Sequence, residues 1–228
     1  DYINQKFISK GLNESRIFHR LSTKNSSNLN GKRVDFFIND STISFQNKNI
    51  TPAKLNLKEV KKGVGYINQT GSLIKEPMNF SDKNFISIND LHKIIKILFF
   101  PDKFEESGRF NLTRKQKDLV FKYMSGYPKE FGYNDEEYPY FFNKFFIYGD
   151  EELEFSNRFK IFNKVGLAYG QLTDVAYIVN DSISIILTAT IDVNTNKIYN
   201  DDNYDYDLIG FPFLAQLSRG IFKIISNN

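Results

Sequence analysis

The chain contains no cysteine. That excludes a disulfide framework, a thiolate metal site and a cysteine nucleophile, while leaving cytoplasm and periplasm both open. Histidine is almost as scarce: with only His19 and His92, and no thiolate, a zinc site is not expected, nor is any other metal or cofactor. Tryptophan is absent, so an aromatic content of 16% is carried by Phe and Tyr alone and predicts a core packed with their rings. The charge balance is only +3 and no basic stripe stands out, which argues against nucleic acid as a partner. No apolar run reaches the roughly 18–20 residues of a membrane span, and no signal peptide is visible. The chain opens Asp1-Tyr2-Ile3 without methionine, which suggests a processed or partial sequence, so missing targeting signals leave its location open.

What is present suffices for one sizeable domain, or most of one, in ordinary globular proportions of 41% hydrophobic and 25% charged residues. Asp1 to Gly11 reads as a short helix closed by Gly11, with Tyr2, Ile3, Phe7 and Ile8 as its apolar stripe. The Asn/Ser-rich stretch 13–30 reads as a loop, and residues 34–76 as small strands or an irregular insertion. Asp90 to Phe100 places Leu91, Ile94, Ile95 and Leu98 at helical spacing before Pro101 stops it. Thr113 to Ser125 opens on a Thr113/Gln116 capping box and is expected to bury Leu119, Val120, Tyr123 and Met124. An acidic, Tyr/Phe-rich connection follows over 126–155.

The last third is the most regular. Arg158–Tyr169, Asp174–Val179 and Ile183–Val193 read as three consecutive strands, with breaks at Gly170–Thr173 and Asn180–Ser182. Short turns make neighbours antiparallel. A helix from Asp207 to Ile225 follows, tolerating Pro212 in its first turn and carrying Phe213, Leu214, Leu217, Ile221, Phe222 and Ile225 on one face. The expected class is α+β: an antiparallel sheet with flanking helices, one of them covering a sheet face.

Within this region, Phe162-Asn163-Lys164-Val165-Gly166-Leu167 leads through a turn to Thr173-Asp174-Val175-Ala176. The order resembles the third motif of penicillin-recognising serine hydrolases, a K-[ST]-G edge strand, a turn, an Asp-Val-Ala-like strand, a third strand and a terminal helix. At the other end, Gly11-Leu12, then Arg16 to Leu21 and Asn28-Leu29-Asn30, is similar to the stretch that follows the family's S-D-N motif. The resemblance touches both ends of the chain and matches residues 31–110 only loosely. It implies a single β-lactamase/transpeptidase-like domain over residues 1–228 with its N-terminal part missing. It implies acyl transfer through a Ser nucleophile located upstream, with a β-lactam, cell-wall peptide or ester as substrate. Lys164 then serves as the catalytic-site cation holding the substrate anion, Val165 and Gly166 line the substrate, and the Leu167 N–H helps form the oxyanion hole. The fragment alone is expected to be inactive, and its compartment periplasmic or secreted.

Two departures qualify that picture. Val165 stands where a Ser or Thr hydroxyl donates to the substrate carboxylate. The Ω-loop-like Ser22–Ser27 carries no Glu to serve as deacylating base, and His19 is the possible substitute. Hence the alternative of a catalytically dead binding or structural module. Ser72-Leu73-Ile74-Lys75 matches S-x-x-K and Ser81-Asp82-Lys83 nearly matches S-D-N, but Ser72 lacks a helical context and the two lie too close together. Asp201 to Asp207 has the alternating acids of a calcium loop without its glycine or its closing Glu.

Overall fold

The computed structural model describes residues 2–19, 33–45, 55–156, 158–180 and 183–227. In chain order these form α1 (Tyr2–Ser9), β1 (Val34–Ile38), β2 (Ser41–Phe45), β3 (Lys61–Lys62), β4 (Gly65–Ile67), β5 (Leu73–Ile74) and β6 (Met78–Asn79). There follow α2 (Ile88–Phe99), α3 (Arg114–Ser125), β7 (Phe159–Ala168), β8 (Gln171–Asn180), β9 (Ile183–Asp192), β10 (Ile198–Tyr199) and a C-terminal helix (Phe211–Ser226). The class is mixed α+β.

The three long strands form one antiparallel sheet in the order β7-β8-β9. Their β-branched and aromatic content suits a pleated surface covered on both sides. The β7–β8 turn is tighter than the sequence suggests. Only Tyr169 (φ 57°) and Gly170 (φ 76°) lie outside the strands, the two positive φ values that a type I′ hairpin requires. The expected break over Gly170–Thr173 is therefore corrected: pairing resumes at Gln171, and Leu172 and Asp174 become fully buried.

Helices cover both faces. On one, Leu214, Ala215 and Phe222 of the C-terminal helix pack with Ile161, Ala176, Ile178 and Ala189. On the other, Phe99 of α2 stacks on Phe121 of α3 (centroids 4.4 Å apart) and leans on Phe162 and Tyr177 of the sheet at 5.1 and 4.6 Å. The Thr113 capping box forms as read, but Leu119 and Tyr123 stay exposed because Phe121 turns α3 inward. Likewise the C-terminal helix buries Leu214, Ala215, Ser218 and Phe222 rather than Phe213 or Ile225. Its small Ala215 and Ser218 allow close approach, which a count of large apolar residues misses. The segment Tyr206–Ser226 is long and apolar enough to cross a membrane by length and composition, contrary to expectation, and one of its faces packs on the sheet.

The N-terminal segment docks through buried Leu12 and polar side chains, not through most of the predicted stripe, since Tyr2, Ile3 and Ile8 are exposed. Buried Asn4 instead exchanges two 2.8 Å hydrogen bonds with the Ile17 backbone. The Asp90 carboxylate accepts from the Glu14 N–H (2.9 Å) and the Ser15 hydroxyl (2.7 Å), tying this segment to α2. Residues 34–76 supply small strands as read, the β1–β2 hairpin being exposed throughout.

Two glycines give opposite predictions. A Cβ on Gly170 meets the Asn194 Cβ at 2.6 Å and needs a left-handed backbone, whereas one on Gly220, inside the C-terminal helix, meets nothing within 4 Å. Gly170→Ala should destabilise by about 1–3 kcal/mol. Gly220→Ala should stabilise by about 0.5–1 kcal/mol. Urea unfolding of both variants checks the pair, and equal midpoints contradict the hairpin geometry.

Candidate functional site

The C-terminal half of β7 opens on a cleft of about 540 Å³. Gly166, Leu167 and Ala168 form one wall; Lys58, Glu59, Val60 and Lys62 around β3, the Phe80–Phe85 segment and His19 form the others. Each wall has a structural cause. The Asn84 side chain accepts from the Phe18 and His19 N–H groups (2.8 and 3.0 Å) and donates to the His19 carbonyl (3.0 Å), which fixes His19 at the rim. Phe80 packs edge-on against Tyr169 (5.3 Å) and Tyr199 (5.0 Å), bringing the β7–β8 turn to the β3–β6 layer.

Strand pairing sets the direction of the backbone groups along this wall. Ala168 and Gln171 flank a two-residue turn, so they form the hydrogen-bonded closing pair. Alternation then leaves Leu167 and Val165 with N–H and C=O directed away from β8, toward an edge that no other described strand covers. The Lys164 ammonium donates to the Val165 carbonyl (2.5 Å) on that edge. Leu167 is half exposed, while the Val165 side chain packs against the core. Gly166 has no left-handed backbone, and a Cβ there meets nothing within 4 Å, so neither conformation nor packing requires glycine.

Of the residues read from sequence, Gly166, Leu167 and His19 thus meet in one cleft; Lys164 and Val165 lie outside its wall. Three lysines that the sequence did not single out, Lys58, Lys62 and Lys83, do line it, and among the described residues no carboxylate stands in ion-pair range of any of them. The Lys83 ammonium lies 5.3 Å from the Tyr169 ring. Cations beside outward backbone donors suit an anionic or oxyanionic group.

In the middle of β7, at Asn163, lies a second feature that sequence reading missed. Lys144 is buried, its ammonium donating to the Met124 carbonyl (2.9 Å) and the Asn163 Oδ1 (2.7 Å). Asn163 in turn donates to the Asp174 carboxylate (3.0 and 3.1 Å) and the Asn143 carbonyl (2.8 Å). Asp174 also accepts from the Phe146 N–H at 3.1 Å. Burial pushes the Asp174 carboxyl up to about 6 despite these donors and the nearby Lys144. Burial also lowers Lys144 to about 8, with Asp174 and Glu130 pulling the other way. Ile147 (φ 72°, ψ −48°) is a β-branched residue in a costly conformation. Its N–H donates to the Ser218 hydroxyl (2.8 Å) and its carbonyl accepts from Arg219 (2.9 Å), which holds it there.

The remaining sequence candidates do not assemble. Ser72 lies in the β4–β5 turn, its N–H donating to Asn68 Oδ1 (2.9 Å), so it heads no helix. Asp201 accepts from Asn196 Nδ2 (2.7 Å) and the Asn203 N–H (3.1 Å) within its own loop, and the described residues hold no metal-ligating cluster. The Ω-loop-like Ser22–Ser27, with Arg20, Leu21 and Asn28–Asn30, lies outside the described residues.

No family model, curated protein or solved structure matches the chain. The chemistry of the cleft therefore rests on its geometry alone.

The buried pair generates a pH prediction. Folded Asp174 titrates near 6 and its unfolded form near 3.8, so the folded state holds the extra proton and stability falls as pH rises from about 4 to about 6. Folded Lys144 titrates near 8 and unfolded near 10.5; there the unfolded state holds more protons, and stability rises from about pH 8 to 10.5. Asp174→Asn should remove the acid-side slope and keep the alkaline one in urea unfolding at stepped pH. An unaltered acid slope refutes the assignment to Asp174.

Proposed function

We propose that this chain forms the substrate-binding part of a β-lactamase-like serine hydrolase site, a penicillin-recognising fold in which the β7 edge receives the acyl substrate. The observation that carries this reading is the Gly166–Leu167 wall of the cleft. An outward Leu167 N–H, next to a glycine that the fold does not need, suits a donor aimed at a developing oxyanion with room for the substrate to approach. The reaction is attack of a serine hydroxyl on an amide or ester carbonyl, with release of the leaving group and hydrolysis of the acyl-enzyme. Among the described residues no serine lines the cleft, so the nucleophile has to come from beyond them. Lys164 or the cleft lysines supply the counter-charge for an anionic substrate, and His19 is the candidate to activate water. Such chemistry on β-lactams or cell-wall peptides belongs in a periplasmic or secreted setting.

Val165 favours a second reading. Its side chain faces the core and offers no hydroxyl, which suits a fold that kept the binding edge and lost turnover.

Nitrocefin hydrolysis and fluorophosphonate labelling of the full-length gene product separate the two. The 228-residue chain alone is expected to be inert, and robust turnover by it overturns the proposal that the serine lies elsewhere. In the full-length protein, Leu167→Pro removes the outward N–H at an edge position where proline is tolerated, and acylation should drop about 10²–10³-fold. Gly166→Val should block substrate approach while leaving the unfolding midpoint equal or higher, since a Cβ there meets nothing and glycine weakens a strand interior. Wild-type turnover in both variants defeats the oxyanion assignment; no labelling in any form favours the binding module.

A further inference from the structure

The buried contact in the middle of β7 brings together groups that can react with one another, and it takes no part in the acyl-transfer reading. The Lys144 ammonium donates to Asn163 Oδ1 at 2.7 Å, and Asn163 Nδ2 donates to both oxygens of Asp174 at 3.0 and 3.1 Å. All three side chains are buried. The 2.7 Å contact and a carbonyl bond of about 1.2 Å put Lys144 Nζ within about 4 Å of the amide carbon Cγ of Asn163, close to the separation of a near-attack arrangement. An amine, an amide carbon and an acid touching the amide's leaving nitrogen are the three parts of a transamidation.

The reactants are held in place. Lys144 Nζ also donates to the Met124 carbonyl, and Asn163 Nδ2 to the Asn143 carbonyl, so neither side chain is free to swing away. The Tyr127 ring lies 5.4 Å from Nζ, and it also lines an open cavity of about 840 Å³ against Phe159, Lys160 and Ile161. Burial keeps water, the competing nucleophile, from the amide carbon. It also prepares the proton balance. A lysine at 10.5 and an aspartic acid at 3.8 both stay charged in water, whereas burial brings Lys144 to about 8 and Asp174 to about 6. Moving a proton from Lys144 to Asp174, which leaves a free amine beside an un-ionised acid, therefore costs far less here than in water.

We propose that Lys144 and Asn163 join in an intramolecular isopeptide bond, with Asp174 carrying the proton. The free amine Nζ attacks Cγ of Asn163 and the Cγ–Nδ2 bond breaks. Nδ2 takes the Asp174 proton and leaves as ammonia; the surplus proton on Nζ passes to the Asp174 carboxylate, which ends as it began. The bond ties the residue before the buried Phe145–Tyr148 turn to β7, 19 residues further along the chain.

The deciding measurement is a mass. The chain, refolded from urea and held at neutral pH, should become lighter by one ammonia, about 17 Da, while chain kept in urea stays at full mass. Tryptic digestion of the refolded chain should give a branched peptide in which residues 130–158, uncut after Lys144, carry Ile161-Phe162-Asn163-Lys164. That peptide separates the bond from ring closure at Asn30-Gly31, which also releases ammonia. Asp174→Asn and Lys144→Met should keep full mass and melt roughly 5–10 °C below the linked chain. A linked Lys144 has no ammonium to titrate, so the alkaline rise in stability assigned to it above belongs to chains that stay unlinked, Asp174→Asn among them. A merely structural network lowers the melting temperature of the variants but leaves the wild-type mass unchanged. Should Asp174→Asn fail to fold, the wild-type mass and peptide still decide. Full mass in the refolded wild type, absence of the branched peptide, or linkage of Asp174→Asn at the wild-type rate each overturns the proposal.

Discussion

Asp174 is a carboxyl in the central strand of a sheet covered on both faces, with no accessible surface at all. A group so placed must find its hydrogen bonds within the protein or give up its charge. Here it does some of both. Two donors, the Asn163 amide and the Phe146 N–H, come from a neighbouring strand and from the strained turn before it, and the carboxyl still titrates well above its ordinary value. Asn163 can reach Asp174 because Val165 pairs with Asp174 and Asn163 with Ala176, so both polar side chains share one sheet face. A slip of one residue would turn Asp174 to the Phe99/Phe121 side and strand it among rings. The register of β7 against β8, and with it the outward direction of the Leu167 amide, is thus enforced by a polar contact more sharply than by the apolar residues around it.

The same constraint explains a lysine without surface exposure. Asn163 spends its amide hydrogens on Asp174 and the Asn143 carbonyl, leaving its Oδ1 as an acceptor in an apolar interior. The Lys144 ammonium satisfies that oxygen and remains close enough to Asp174 to lower its cost. Asn163 therefore separates two opposite charges that do not touch, an arrangement weaker than a direct ion pair and dependent on all three members. The turn Phe145–Tyr148 passes directly after Lys144 and is wholly buried, its unfavourable Ile147 geometry held by Ser218 and Arg219 of the C-terminal helix. Helix, turn and strand are locked at one point.

Much of this architecture is legible in the sequence, and the parts that are not share a cause. The three strands, the Thr113 cap, the helix before Pro101 and the α+β class follow from local periodicity and turn chemistry, which are read along the chain. The buried stripes of α3 and the C-terminal helix sit a fraction of a turn from where periodicity puts them, since the choice between Phe121 and Leu119, or Ala215 and Phe213, is made by the partner surface. The motif Lys164-Val165-Gly166 points to a strand that does line a cleft, and His19 converges on it through an Asn84 contact that no spacing reveals. The cleft lysines are invisible in the sequence because Lys58, Lys62 and Lys83 come together only through small strand pairings. Lys144 does leave a trace: a lone cation heading the run Phe145-Phe146-Ile147 predicts either a boundary or a buried partner, and Asp174 stands in the very motif that the sequence singles out.

Both cavities lie along β7, and the physics of an edge strand accounts for their placement. In the middle of the strand, Asn163 is turned inward and Lys144, drawn to it, brings Met124 and Asn143 across the edge. The chain is closed there because the buried polar contact must be shielded from water to keep its geometry. On either side no such demand exists, and the edge stays open: toward Phe159–Ile161 it is roofed by rings, toward Gly166–Ala168 by lysines and a glycine. The two openings therefore differ in chemistry while sharing one rigid support. A substitution at Asn163 would loosen the seal between them and disturb both, whereas changes at Phe155 or Gly166 act at one end alone.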